Sequence, residues 1–171
     1  MRYQITPDKY LLPNELEALR LTLQRVKGDE RNKVLIELAL ATGARAEELL
    51  AIKEADLLDY DHSVHIRGLK GSNDRELPLR PELFARLKAL AKANGGKPFP
   101  ISYSMLVKVW HQYRPVAKKF HSLRHTFAVE LYKREPDIKL VQLWLGHRQI
   151  TNTMVYLDLV YSKQKMAKGI L

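Results

Sequence analysis

Leu57-Leu58-Asp59-Tyr60, Ser63-Val64-His65-Ile66-Arg67 and Arg75-Glu76-Leu77-Pro78-Leu79 decide the fold class, because here the apolar period of the chain changes from helical to alternating. Asp61-His62 and Gly71-Ser72-Asn73-Asp74 supply turn residues between them, so the three runs read as a small antiparallel sheet. On either side the pattern is helical. Upstream, Pro13 opens a helix with Leu16, Leu19, Leu23 and Val26 inward, ended by Lys27-Gly28-Asp29. Val34, Leu35, Leu38 and Ala39 mark a second, stopped by Gly43, and Leu49, Leu50 and Ile52 a short third. Downstream, Pro81 starts a helix with Leu83, Phe84, Leu87 and Leu90 inward, closed by Asn94-Gly95-Gly96. Tyr103, Leu106, Val107 and Trp110 predict one face of the next. A helix from His121 carries Phe127 and Leu131 into the core and breaks at Glu135-Pro136-Asp137. Ile138 to Leu145 is a short helix capped by Gly146, and Thr151 to Leu159 is expected to form the last. The expectation is one mostly α domain over residues 1–171 with a three-stranded antiparallel sheet (α+β), a lead-in at 1–11 and a tail at 157–171.

Composition narrows the partners. The 29 Lys+Arg against 19 Asp+Glu leave a net charge of +10, which favours a polyanionic partner without saying anything about fold. The absence of cysteine excludes disulfides, thiolate metal sites and cysteine nucleophiles. Met1-Arg2-Tyr3-Gln4 leads into no apolar signal region, and no run reaches membrane-spanning length, so a cytoplasmic protein is expected, nucleoid-associated if bacterial.

The chemistry-bearing residues fall in a fixed order. Arg45 and Glu48 lie in Thr42-Gly43-Ala44-Arg45-Ala46-Glu47-Glu48-Leu49, and Lys70 sits between the second and third strand-like runs. His121-Ser122-Leu123-Arg124-His125 and Leu145-Gly146-His147 follow, and Tyr156 stands nine residues after His147. Singly each has an ordinary explanation: a solvated arginine at a helix junction, a solubilising turn lysine, a packed histidine or tyrosine. Jointly they do not. An arginine with a carboxylate three on, a hairpin lysine, His-x-x-Arg, Leu-Gly-His and a tyrosine nine further resemble the tyrosine recombinase (phage integrase) family, from about Leu11 to Tyr161.

The resemblance implies the recombinase catalytic-domain fold and a site made of Arg45, Lys70, His121, Arg124, His147 and the nucleophile Tyr156, with Glu48 and His125 in support. The physical chemistry makes those roles possible. Attack on a phosphodiester piles negative charge on non-bridging oxygens, which arginine grips with a planar, permanently charged fork. Phenol titrates near pH ~10, so Tyr156 needs a proton acceptor such as an imidazole, while Lys70 is placed to protonate the leaving 5′-oxygen. No step requires a metal, and no cofactor is expected. Family members form a 3′-phosphotyrosyl bond and exchange strands without ATP; double-stranded DNA and self-association in a tetrameric synapse are the implied partners. Type IB topoisomerase chemistry and a non-catalytic DNA-binding accessory protein are the competing readings. Tyr161 is the rival nucleophile, and zinc held by His121, His125 and His147 the rival use of the imidazoles. His125 is otherwise expected to brace its helix. Only about ten residues precede the first helix, so the family's N-terminal DNA-clasping arm is expected to be absent. Leu159, Val160, Met166, Ile170 and Leu171 are apolar enough for the tail to pack on a neighbouring protomer.

Overall fold

The computed structural model describes residues 5–157. Element order is α1 (Pro13–Arg25), α2 (Glu30–Thr42), α3 (Ala46–Leu50), a 3-10 turn (Glu54–Asp56), β1 (Leu57–Leu58), β2 (Ser63–Ile66), β3 (Arg75–Pro78), α4 (Pro81–Ala93), α5 (Tyr103–Tyr113), α6 (Ser122–Arg134), α7 (Ile138–Leu145) and α8 (Thr151–Met154). None of the described helices is long and apolar enough to cross a membrane. The mostly helical architecture with a small sheet is the one its sequence periods predict.

The core is built around α2. Val34, Leu35, Ile36 and Leu38 are consecutive or nearly so and all fully buried, so this helix is apolar around most of its circumference and lies in the middle of the others. α4 and α6 pack against it. A second apolar cluster joins Phe127, Val129, Leu131 and Tyr132 of α6 to Val141 and Leu145 of α7, and includes Tyr156. The sheet has the order β1-β2-β3, antiparallel throughout, with Leu57 opposite Val64 and Ile66 opposite Arg75. Burial alternates along β3: Arg75 and Leu77 face in, Glu76 and Pro78 out.

Two expectations need correcting. The inward stripe of α5 is Leu106, Val109, Trp110 and Tyr113, and Tyr103 is exposed. Ser102 caps this helix by accepting from the Met105 N–H at 3.2 Å, which leaves Tyr103 as its outward first residue. α8 ends at Met154, and Tyr156 follows in a tighter turn whose N–H donates three residues back to the Thr153 carbonyl. The described part of the lead-in is docked: Ile5 is buried, Leu11 N–H donates to Thr126 Oγ1 at 2.8 Å, and Lys118 Nζ donates to the carbonyls of Pro7 and Tyr10. Tyr161 and the tail apolar residues Leu159 to Leu171 lie outside the described residues.

Candidate active site

Two glycines set the frame. Gly43 ends α2 and Gly146 ends α7, both left-handed, with φ +61° and +69°. A Cβ on Gly43 would come within 2.5 Å of Phe127 Cδ1, and one on Gly146 within 2.8 Å of the Asn73 carbonyl oxygen. The two helix ends therefore approach α6 and the β2–β3 hairpin as closely as only glycine permits. Arg124 joins the two ends: Nη1 donates to the Gly43 carbonyl at 2.6 Å and Nη2 to the Leu145 carbonyl at 2.8 Å. A cation at two helix C-termini meets their partial negative charge and their unsatisfied carbonyls at once. Burial, then the nearby Arg45 cation, lowers the Arg124 pKa to about 10, so it stays charged at neutral pH. Two of its five N–H groups are used on carbonyls, so the fold itself fixes the guanidinium.

Arg45 stands at the N-cap of α3. Its backbone N–H donates to Glu48 Oε2 at 2.9 Å and its Nη1 to Oε1 at 3.3 Å, so Glu48 does orient it. Glu48 is 1% exposed, and its second partner is one that the sequence reading missed: Arg75 Nη2 donates to Oε2 at 2.7 Å. The available signal was the alternation of β3, which puts Arg75 on the same inward face as Leu77.

The hairpin is pinned to the end of α7. Asn73 N–H donates to the Gly146 carbonyl at 2.9 Å, and Ser72 forms a β-bridge with His147. This brings Lys70 to the site. It sits at the hairpin tip with φ +52°, its side chain exposed, and its Nζ pairs with Glu47 Oε1 at 2.6 Å. His147 Nδ1 lies 2.9 Å from Thr153 Oγ1, a fully buried hydroxyl also unforeseen from sequence. Burial, then Arg124 and Arg45, push the His147 pKa down to about 3.

Tyr156 is 2% exposed, and its hydroxyl lies 2.8 Å from His125 Nδ1. His125, expected only to brace its helix, is thus the imidazole on the phenol. His121 reaches it edge-on, the two rings 4.8 Å apart at 82°. Burial, then His121 and Arg124, lower His125 to about 3, leaving it neutral at ordinary pH and able to accept a hydrogen bond from the phenol. Burial and the cations Arg124 and Arg45 also lower His121. Among the described residues no three His, Asp or Glu side chains converge as a metal ion would need. All six residues singled out as catalytic, and both supporting ones, lie on these joined segments.

Comparison with known proteins bears on the family and the fold. The phage integrase family model matches residues 9–163. A tyrosine recombinase of Pseudothermotoga lettingae is 30% identical over 167 residues, covering 90% of this chain and 57% of that protein. XerH of Campylobacter jejuni is 30% identical over 158 residues, covering 82% and 44%. The chain thus spans about half the length of the curated relatives it matches. Among solved structures, XerH bound to difH substrate in a pre-cleavage complex aligns at TM-score 0.76 and 23% identity over 98% of this chain and 54% of that one. The catalytic domain of bacteriophage HP1 integrase aligns at 0.70 and 22% over 94% of each. These structural likenesses establish the fold, and the family match covers every residue of the site: the chain belongs to the phage integrase family.

Proposed function

We propose that this chain is the catalytic unit of a site-specific DNA recombinase that cuts and rejoins strands through Tyr156. The observation that carries the reading is the Tyr156 hydroxyl held 2.8 Å from a neutral imidazole, beside an arginine clamped between two helix ends. Near-complete mutual coverage with an integrase catalytic domain supports the domain assignment. Relatives in complex with DNA support double-stranded DNA as the partner, and self-association on DNA is part of the proposal by family resemblance.

The chemistry runs as follows. Arg124 and Arg45 take the non-bridging oxygens of the scissile phosphate. Their charge matters most as the phosphorus becomes five-coordinate. In the tautomer that accepts from Thr153 at Nδ1, the neutral His147 ring carries its proton on Nε2 and offers it to the same oxygens. Tyr156 Oη attacks phosphorus while its proton passes to His125 Nδ1, whose basicity the negative charge of the phosphate raises above its DNA-free level; the P–O5′ bond breaks, and Lys70 protonates the leaving oxygen. The product is a 3′-phosphotyrosyl ester and a free 5′-hydroxyl. A 5′-hydroxyl from a second strand reverses the step, returning the proton to Tyr156, so ester bond energy is kept and no nucleotide is consumed.

The test is incubation with nicked suicide duplexes drawn from the neighbouring genomic DNA, followed by denaturing gels. A covalent adduct is expected from the wild-type chain, with none from Tyr156→Phe at nearly unchanged DNA affinity. An adduct that persists in Tyr156→Phe and disappears in Tyr161→Phe would move the nucleophile; relaxation of supercoils without strand exchange would favour the topoisomerase reading.

A further inference from the structure

The buried ion pair between β3 and α3 has no part in the chemistry above. Arg75 and Glu48 have side chains 6% and 0% exposed. Desolvating such a pair is costly, and a packed apolar pair would serve stability as well or better. Its geometry shows what else it does. Arg75 spreads its fork over three segments: Nη2 to Glu48 Oε2 at 2.7 Å, Nε to the Trp144 carbonyl at 2.7 Å, and Nη1 to Glu48 Oε1 and the Asn73 carbonyl, both at 3.4 Å. Each segment bears one reacting group: Arg45 beside Glu48, Lys70 in the Asn73 hairpin, and His147 just past Trp144.

We propose that Arg75 is a positioning residue for strand cleavage, aligning Arg45 through their shared Glu48 carboxylate while fixing the Lys70 hairpin against the α7 terminus that carries His147. The inference rests on the recombinase reading and deepens it. Glu48 lies between cations from three directions: Arg45 on its own helix, Arg75 from β3 and Arg124 from α6. Burial raises its carboxyl pKa, and Arg75, the Arg45 backbone N–H and the Arg124 charge more than reverse that, the Arg75 hydrogen bond being the largest lowering cause. Without Arg75, burial dominates. Glu48 then takes a proton at higher pH, and the Oε1 acceptor for Arg45 Nη1 is weakened. A lysine keeps the charge but cannot hold Glu48 and the Trp144 carbonyl together with a planar fork.

Two measurements on the full chain separate this role from general support. The first is a ¹³C titration of the Glu48 carboxyl without DNA, assigned by its loss in Glu48→Gln. Arg75→Gln is expected to move that titration upward, and Arg75→Lys much less. The second is single-turnover adduct formation against pH, with DNA affinity measured alongside. Arg75→Gln is expected to be slower by on the order of 10²-fold at neutral pH, the loss of one transition-state donor's alignment. Its affinity should be little changed, and its rate should gain an acid limb that wild type lacks and Glu48→Gln abolishes. Arg75→Lys should be slow with the wild-type pH profile. Folded Arg75→Gln with unchanged Glu48 titration and pH profile would overturn the proposal. If Arg75→Gln does not fold, a wild-type rate in Arg75→Lys overturns it instead. A wild-type chain that forms no adduct removes the recombinase reading, while the titration still decides whether Arg75 governs Glu48.

Discussion

Acidification from pH 7 to pH 5 should destabilise the DNA-free chain through His125 and His147. Both are held neutral in the fold at pKa about 3, first by burial and then by neighbouring positive groups, His121 and Arg124 at His125 and Arg124 and Arg45 at His147. In the unfolded chain each titrates near pH ~6.5. The unfolded state therefore binds more protons between about 6.5 and 3, and stability must fall as pH falls through that window. At pH 5 an unfolded histidine is almost fully protonated and these folded ones almost not at all. That gap of ~1.5 pH units is worth about 2 kcal/mol per imidazole. Both rings are partly open to solvent, so the pair together is expected to lose about 2–4 kcal/mol. Carboxylates with lowered pKa, such as Glu15, Glu30 and Glu48, act with the same sign, but only below about pH ~4.5. His121, also lowered, acts in the same direction. The assay is urea unfolding at pH 7, 6 and 5 for wild type and for His125→Gln/His147→Gln. The slope against pH is the readout, since the substitutions themselves shift the baseline. The double variant should be distinctly flatter; equal slopes, or a wild type that gains stability on acidification, would refute the neutral-imidazole site.

Gly146→Ala should lose about 1–2 kcal/mol from the left-handed backbone alone, and more because the new Cβ meets the Asn73 carbonyl at 2.8 Å; unfolding by urea at the wild-type midpoint would contradict this. Arg45→Lys keeps the charge and removes the fork, so adduct formation should fall on the order of 10²-fold while affinity holds, as measured by single-turnover cleavage and binding titration. Lys70→Ala should be severely slow on ordinary DNA and be rescued by a 5′-bridging sulfur, which leaves without a proton; Arg124→Ala should not be rescued, and equal failure of both would reduce Lys70 to a phosphate grip. The +10 charge predicts DNA binding that weakens steeply with salt, each neutralised phosphate adding roughly 0.9 to the log–log slope; flat, strongly selective binding would contradict it.

What could be read from the sequence, and what could not, divides along a physical line. Backbone periods report which face of an element is buried, so the sheet runs and the helix stops at Gly43 and Gly146 were legible. Motif spacing likewise brought out the arginines, the hairpin lysine and the terminal tyrosine, because each lies at an element boundary with its own local signature. Pairings across long separations were not legible. His125 meets Tyr156 across 31 positions, Arg75 meets Trp144 across 69, and Arg124 meets Gly43 across 81. His121 and His125 are one helical turn apart, and sequence cannot say which ring faces the phenol, since that depends on how the turn after α8 is packed. Arg75 carried a weaker signal, an arginine at an inward strand position. Such a residue must find a carboxylate or carbonyls, or the strand would not form with it inside. A charged residue on the buried face of a short strand is thus itself a pointer to a distant partner, and here that partner, Glu48, is the group that holds Arg45 in place.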